Sequence, residues 1–248
     1  MNKLKNNHPV GLKTLFFTEM WERMSYYGMR GILVLFMTAS ITNGGLDFNN
    51  ASASAIYGIY AAAVYLMALP GGWIADNIFG QQKTILFGGI VIMFGHLSLA
   101  IPNMTFFYFG LILVVIGTGL LKPNISAIVG GLYEKKTSLR ESGFTIFYMS
   151  INIGSILGFF ICGYLGENIG WHYGFGAAGI GMFLGVLQYK LNLNSLGGVG
   201  LLPANQVSEE RKKQYQKNTL IISVIISLFI SSGLFGFWKI NPVPLANV

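Results

Sequence analysis

The sequence predicts an all-α membrane protein, a six-helix N-terminal bundle followed by one further transmembrane helix. Three observations carry this expectation. Of 248 residues, 53% are hydrophobic and only 10% charged, and the mean hydropathy is +0.57, whereas soluble domains average about 25% charged residues. The apolar residues fall into runs of about 20, the length a helix needs to cross a bilayer. Finally, the basic residues alternate between loops. Lys3, Lys5 and Lys13 precede or open the first run, Lys83 follows the second, Lys135, Lys136 and Arg140 follow the fourth, and Arg211, Lys212, Lys213 and Lys217 follow the sixth. The loops between carry none. Basic loops stay on the cytoplasmic side, so the N-terminus and the linker are expected there, in a multi-pass protein of the cell (inner) membrane.

Taken in order, the runs place helices near 12–40, 52–75, 83–101, 105–132, 143–166 and 171–190. The division expected is a six-helix bundle over 1–190, a polar linker over 191–217, and a last stretch, 218–248, holding a seventh span near 218–238. The first run is too long for the apolar part of a signal peptide and no cleavage signature follows, so it reads as an uncleaved helix. The 33 glycines, about twice the usual ~7%, suit helices packed closely in a membrane. The net charge of +7 does not indicate nucleic-acid binding, because most bases flank apolar runs instead of forming a patch. The single cysteine, Cys162, excludes an internal disulfide and a cysteine-rich metal site, and its mid-span position reads as packing.

The first run holds charges that lipid would exclude. In Glu19-Met-Trp-Glu22-Arg23-Met-Ser-Tyr26-Tyr27-Gly28-Met-Arg30, positions 19, 22, 23, 26 and 30 share one helical stripe. Glu22 lies about 13 Å along the helix from Lys13, too deep for snorkelling. Each such charge costs on the order of 3 kcal/mol at a helix centre even on a lenient scale. The stripe must therefore face a bundle interior or a watery cavity, or lock helices together through a buried ion pair.

Helix 4 carries Gly117-Thr-Gly119-Leu-Leu-Lys122-Pro123-Asn124. Pro123 frees backbone groups there, and a lysine deep in an apolar run needs a carboxylate or loses its proton. Glu19 and Glu22 are the deep acids of the first six runs, so Lys122 is expected to pair with Glu22. On helix 5, Asn152 is expected to hydrogen-bond a neighbouring helix or a ligand. Of Tyr57, Tyr60 and Tyr65 on helix 2, only Tyr65 sits near mid-span and counts as a site residue; the other two read as interfacial anchors. His96 reads as a hydrogen-bonded packing residue. There is no nucleophile–base pair, no phosphate loop and no metal-ligand cluster, and the three histidines, His8, His96 and His172, are scattered, so an enzyme is not expected.

Two resemblances follow. Gly72-Trp-Ile-Ala-Asp76-Asn-Ile-Phe-Gly80-Gln-Gln-Lys83 resembles the cytoplasmic loop signature of the major facilitator superfamily, with Asn77, Gln81 and Gln82 where relatives often carry bases. Asp76 is expected to cap helix 3 or pair with a helix end. More specifically, Glu19-x-x-Glu22-Arg23-x-x-Tyr26-Tyr27-Gly28 resembles the E-x-x-E-R-F-x-Y-Y-G signature of proton-dependent oligopeptide transporters, with Met24 for the usual phenylalanine. The segments around Lys122-Pro123-Asn124 and Phe144-x-Ile-Phe-x-x-x-Ile-Asn152-x-Gly154 are similar to that family's helix 4 and helix 5 motifs. The resemblance covers residues 11–190.

It implies a symporter that imports di- and tripeptides with protons by alternating access between two six-helix halves, with no cofactor beyond the proton as coupling ion. By position, Glu19, Glu22, Arg23 and Lys122 match the proton-coupling residues, and Tyr26, Tyr27, Arg30, Tyr65, Lys122 and Asn152 the peptide pocket. The helix 2 histidine of some relatives is missing here, which leaves Glu22 as the expected protonation site. Six helices plus one amount to half of the family fold. The expectation is a truncated or split product, or a half completed by a second polypeptide, with the last span either an accessory helix or helix 7. Two other readings stay open: the same fold carrying nitrate, a drug or an amino-acid conjugate, and a non-transporting membrane scaffold.

Overall fold

The computed structural model describes residues 8–134, 137–205, 210–211, 213–215, 217–218 and 221. The seventh span expected over 218–238 lies outside the described residues but for 218 and 221. Six long helices make up the fold: α1 (Val10–Thr38), α2 (Asn50–Ile74), α3 (Gln81–Leu99), α4 (Met104–Leu132), α5 (Arg140–Asn168) and α6 (Trp171–Leu191). No strand occurs among the described residues. Observed bounds fall within three residues of those expected.

Helices α3, α4, α5 and α2 with its following turn are long and apolar enough to cross a membrane by length and composition. Helix α1 is 29 residues long but carries Lys13, Glu19, Glu22, Arg23 and Arg30. Helix α6 has 21 residues, enough for a ~30 Å hydrocarbon layer, but its glycines, His172 and polar-edged aromatics dilute its apolar character.

Local chemistry sets the ends. Asn49 and Asn103 accept from the backbone N–H of Ser52 and Thr105 at the starts of α2 and α4, each satisfying a donor that a first turn leaves free. Helix α2 runs on through one π turn, Ala75–Phe79. Gly80 ends it at φ 80° and a Cβ there would run into the Leu201 carbonyl, so glycine is required. Asp76 does not cap α3: Gly80 holds the N-cap position with no side-chain cap, and Asp76 instead offers its carbonyl to Asn205 N–H at 2.9 Å.

Helix α1 packs along α5 and α6, α4 packs along α3 and α2, and α3 joins the two groups through α6. Small residues set the α1–α5 approach. Gly154, Gly158, Cys162 and Gly166 recur every four residues on α5 and face Met20, Met24, Gly28 and Ile32 of α1. On the other side Gly181 and Gly185 of α6 admit Met24 and Trp21.

The apolar interior forms two clusters. One holds Met29, Leu33, Phe36, Phe107 and Phe175, and the other Leu12, Leu15, Ile125, Phe147 and Tyr189. Between them along α1 lies a buried polar belt of Thr18, Glu19, Glu22, Arg23 and Ser25.

The segment after α6, expected as a linker from residue 191, folds back as a strap. A 3₁₀ turn (Leu193–Leu196) buries Leu196 in the second cluster. Gln82 then donates from Nε2 to the carbonyls of Gly197 and Val199 at 3.0 and 2.8 Å, and its N–H donates to Gly200 O at 2.9 Å.

Candidate functional site

Three charged side chains of α1 converge inside the bundle. Arg23 Nε donates to Glu19 Oε1 at 2.7 Å and lies 3.1 Å from Glu22 Oε2. All three residues are buried, Glu22 completely. The i,i+4 spacing of 19 and 23 brings the first pair together. The ion pairs run within α1, so they do not lock one helix to another. One guanidinium thus serves two carboxylates, and Glu19 Oε2 and both Glu22 oxygens have no hydrogen-bond partner. A buried charge without compensation is strongly disfavoured. A single proton on Glu22 removes the excess, and of the two carboxyls Glu22 is the one without a hydrogen bond.

Beyond the triad the α1 stripe reaches the surface. Tyr26 is buried under the Arg23 guanidinium, 5.9 Å from its ring centroid. Tyr27 is half-buried and meets Tyr26 edge-on. Arg30, also half-buried, donates from Nε to the Tyr57 hydroxyl and lies over that ring at 5.2 Å. Lys122 does not form the expected ion pair with Glu22. Its Nζ sits 4.7 Å from the ring centroid of Tyr65, a cation–π contact, and only its longer-range field reaches Glu22. Arg23, already on α1 beside Glu22, takes the place assigned to the lysine.

Tyr65 is 65% exposed, and Asn152 is exposed on α5 with no hydrogen bond to its amide. Asn152 therefore does not tie α5 to a neighbour. His96 is fully buried with neither ring nitrogen partnered, against the expectation of a hydrogen-bonded histidine. Pro123 interrupts the α4 ladder close to Lys122, and Asn124 fastens the turn by donating to Gly71 O on α2 at 3.3 Å and to Leu120 O at 2.7 Å.

The sequence reading missed two residues. Tyr57 holds Arg30, and buried Tyr60, its hydroxyl unpartnered, lies within electrostatic reach of Tyr26, Glu22 and Arg30. Their spacing of three, with Tyr65 further along, marks one broad face of α2, the signal in the sequence that could have found them. Among the described residues no His, Cys, Asp and Glu cluster suits a metal. What remains is a buried ionic triad on α1, with Arg30 against Tyr57 and Lys122 against Tyr65 beyond it and Asn152 exposed on α5.

A six-helix bundle with ionisable groups held inside it is the arrangement of one half of the major facilitator fold. Residues 82–192 match the model of the POT family. The chain is 45% identical over 229 residues to the uncharacterized transporter YclF of Bacillus subtilis, covering 92% of this chain and 46% of that one. It is 42% identical to the di-/tripeptide transporter of Lactococcus lactis subsp. lactis, covering 96% and 48%. The crystal structure of a peptide transporter POT in complex with sulfate superposes with a TM-score of 0.86 at 41% identity, covering 95% of this chain and 48% of that one. The chain spans about half the length of the curated relatives it matches.

Proposed function

We propose that these residues form the N-terminal bundle of a proton-coupled symporter that imports di- and tripeptides by alternating access. The observation that carries this reading is the triad of one buried guanidinium against two buried carboxylates, opening onto a face with Arg30, Lys122, Tyr27, Tyr65 and Asn152. The relatives named for di- and tripeptides support the cargo.

A peptide zwitterion presents a carboxylate, amides and an ammonium. Arg30 and Lys122 answer the carboxylate, and the Tyr65 hydroxyl and the Asn152 amide answer the backbone. No acid on this face is free for the ammonium, so its partner belongs to the other half of the transporter. The proton moves to Glu22. When Glu22 is ionised, Arg23 is held between two carboxylates; when it is protonated, Arg23 belongs to Glu19 alone and the field at Tyr26, Tyr60 and Lys122 changes. Inward proton movement gains about 2.3 kcal/mol per 100 mV, and a charge change of this kind biases a two-state bundle.

The alternation of basic loops supports an orientation with the N-terminus and the linker in the cytoplasm, in a protein that acts in the cell (inner) membrane. The test is uptake of labelled dialanine into vesicles holding the whole transporter. Uptake is expected to be saturable, driven by an inward proton gradient, abolished by a protonophore and competed by other dipeptides. Competition by nitrate or by free drug molecules, with none by dipeptides, would overturn the cargo.

A further inference from the structure

The strap walls one side of a cavity. It has a volume of about 940 Å³ and lies between the strap, the end of α4 and the start of α5. That is a volume suited to a small ligand. A smaller cavity shares Arg140 and Phe144 with it. Its lining includes the polar side chains of Gln81, Ser126, Glu134 and Arg140, and none of the four has a hydrogen-bond or ion-pair partner among the described residues. Arg140 lies over the Phe144 ring, 5.9 Å from the centroid. Tyr133, by contrast, is engaged: its hydroxyl bonds to His8 at 2.6 Å. Two opposite charges, an amide and a hydroxyl, none partnered among the described residues, therefore border one cavity. Ser126 stands four residues beyond Lys122 on α4, one turn and about 6 Å further along the same face.

We propose that this cavity is a second peptide site on the path away from the central face, holding a short peptide by its carboxylate at Arg140 and its ammonium at Glu134. Gln81 and Ser126 meet the peptide bond, and Phe144 with the strap residues Val199 and Leu202 takes an apolar side chain. Charge-assisted pairs of this kind are the strong ones, and the arrangement selects zwitterions over ions of either sign. It supplies, from this chain alone, the acid that the central face lacks. The proposal rests on the peptide reading above, but it needs only residues present here.

The experiment is binding of dialanine, its N-acetyl form and its C-terminal amide to the 248-residue chain in lipid nanodiscs, by isothermal titration or saturation-transfer NMR. The wild type should bind free dialanine at least tenfold more tightly than either capped form. Arg140→Gln should weaken free dialanine at least tenfold and erase its advantage over the amide. Glu134→Gln should erase its advantage over the N-acetyl form. Absence of dialanine binding by the wild type, or equal binding by Arg140→Gln, each overturns the second site. None of these touches the symport reading, which is decided by gradient-driven uptake in the whole transporter.

Discussion

The central residue-scale feature is an imbalance, one Arg23 for Glu19 and Glu22 in a buried belt. Removing one partner of a buried ion network strands the others, at a cost of about 3–5 kcal/mol. Arg23→Met is therefore expected to lower the thermal stability of the detergent-solubilised protein sharply. The deficit should shrink as pH falls, because protonation removes the unpaired carboxylate charge. A melting curve that matches the wild type at neutral pH would contradict the burial described here. The triad was legible in the sequence because charges inside an apolar run have few ways to survive. The partner of Lys122 was not. Elimination among acids passed over aromatic faces, and the Tyr65 ring, brought from α2, could not be oriented before the packing of α2 on α4 was known. Tyr57 was misjudged for the same reason: depth along a helix does not tell which way a hydroxyl points.

At the scale of elements, the seam between α1 and α5 positions the triad. Gly154 and Gly158 let α5 meet the α1 backbone at Met20 and Met24, on either side of Arg23. A leucine at Gly158 must push the helices apart, an overpacking cost of about 1–3 kcal/mol or more. Gly163 lies on the same helix with open space around it, so Gly158→Leu should lower the melting temperature and folded yield while Gly163→Leu leaves both near wild type. Equal effects of the two would contradict the seam. Helix positions were readable from apolar run length, and the glycine excess pointed to close packing. The strap was not readable, since Gln82 bonds to carbonyls more than a hundred residues away and nothing local announces it. Gln82→Ala removes both side-chain bonds and should raise protease cleavage and amide exchange over residues 197–205. Unchanged protection there would show that the strap is held by Leu196 and the backbone alone.

For the whole molecule, two apolar clusters with a charged belt between them give a bundle that is apolar toward both ends and polar between. That layout suits a carrier half whose proton site sits at the level of its cargo. The six helices and the all-α class follow from composition and loop charge, and the family resemblance from the α1, α4 and α5 motifs. The alternation of basic loops gives an orientation, which cysteine accessibility at Ser40 and Ser138 can check. A membrane-impermeant thiol reagent applied to intact cells should label Ser40→Cys and not Ser138→Cys, and the reverse pattern would invert the topology.

The most direct test of proton coupling is Glu22→Gln in the whole transporter, reconstituted in vesicles and assayed two ways. Counterflow exchange of dialanine asks only for binding and alternation, whereas gradient-driven uptake also asks for a proton carrier. With Glu22 as that carrier, the variant should keep counterflow and lose accumulation driven by the proton gradient. Gradient-driven accumulation at the wild-type level would show that the proton travels elsewhere and that the buried triad serves structure alone.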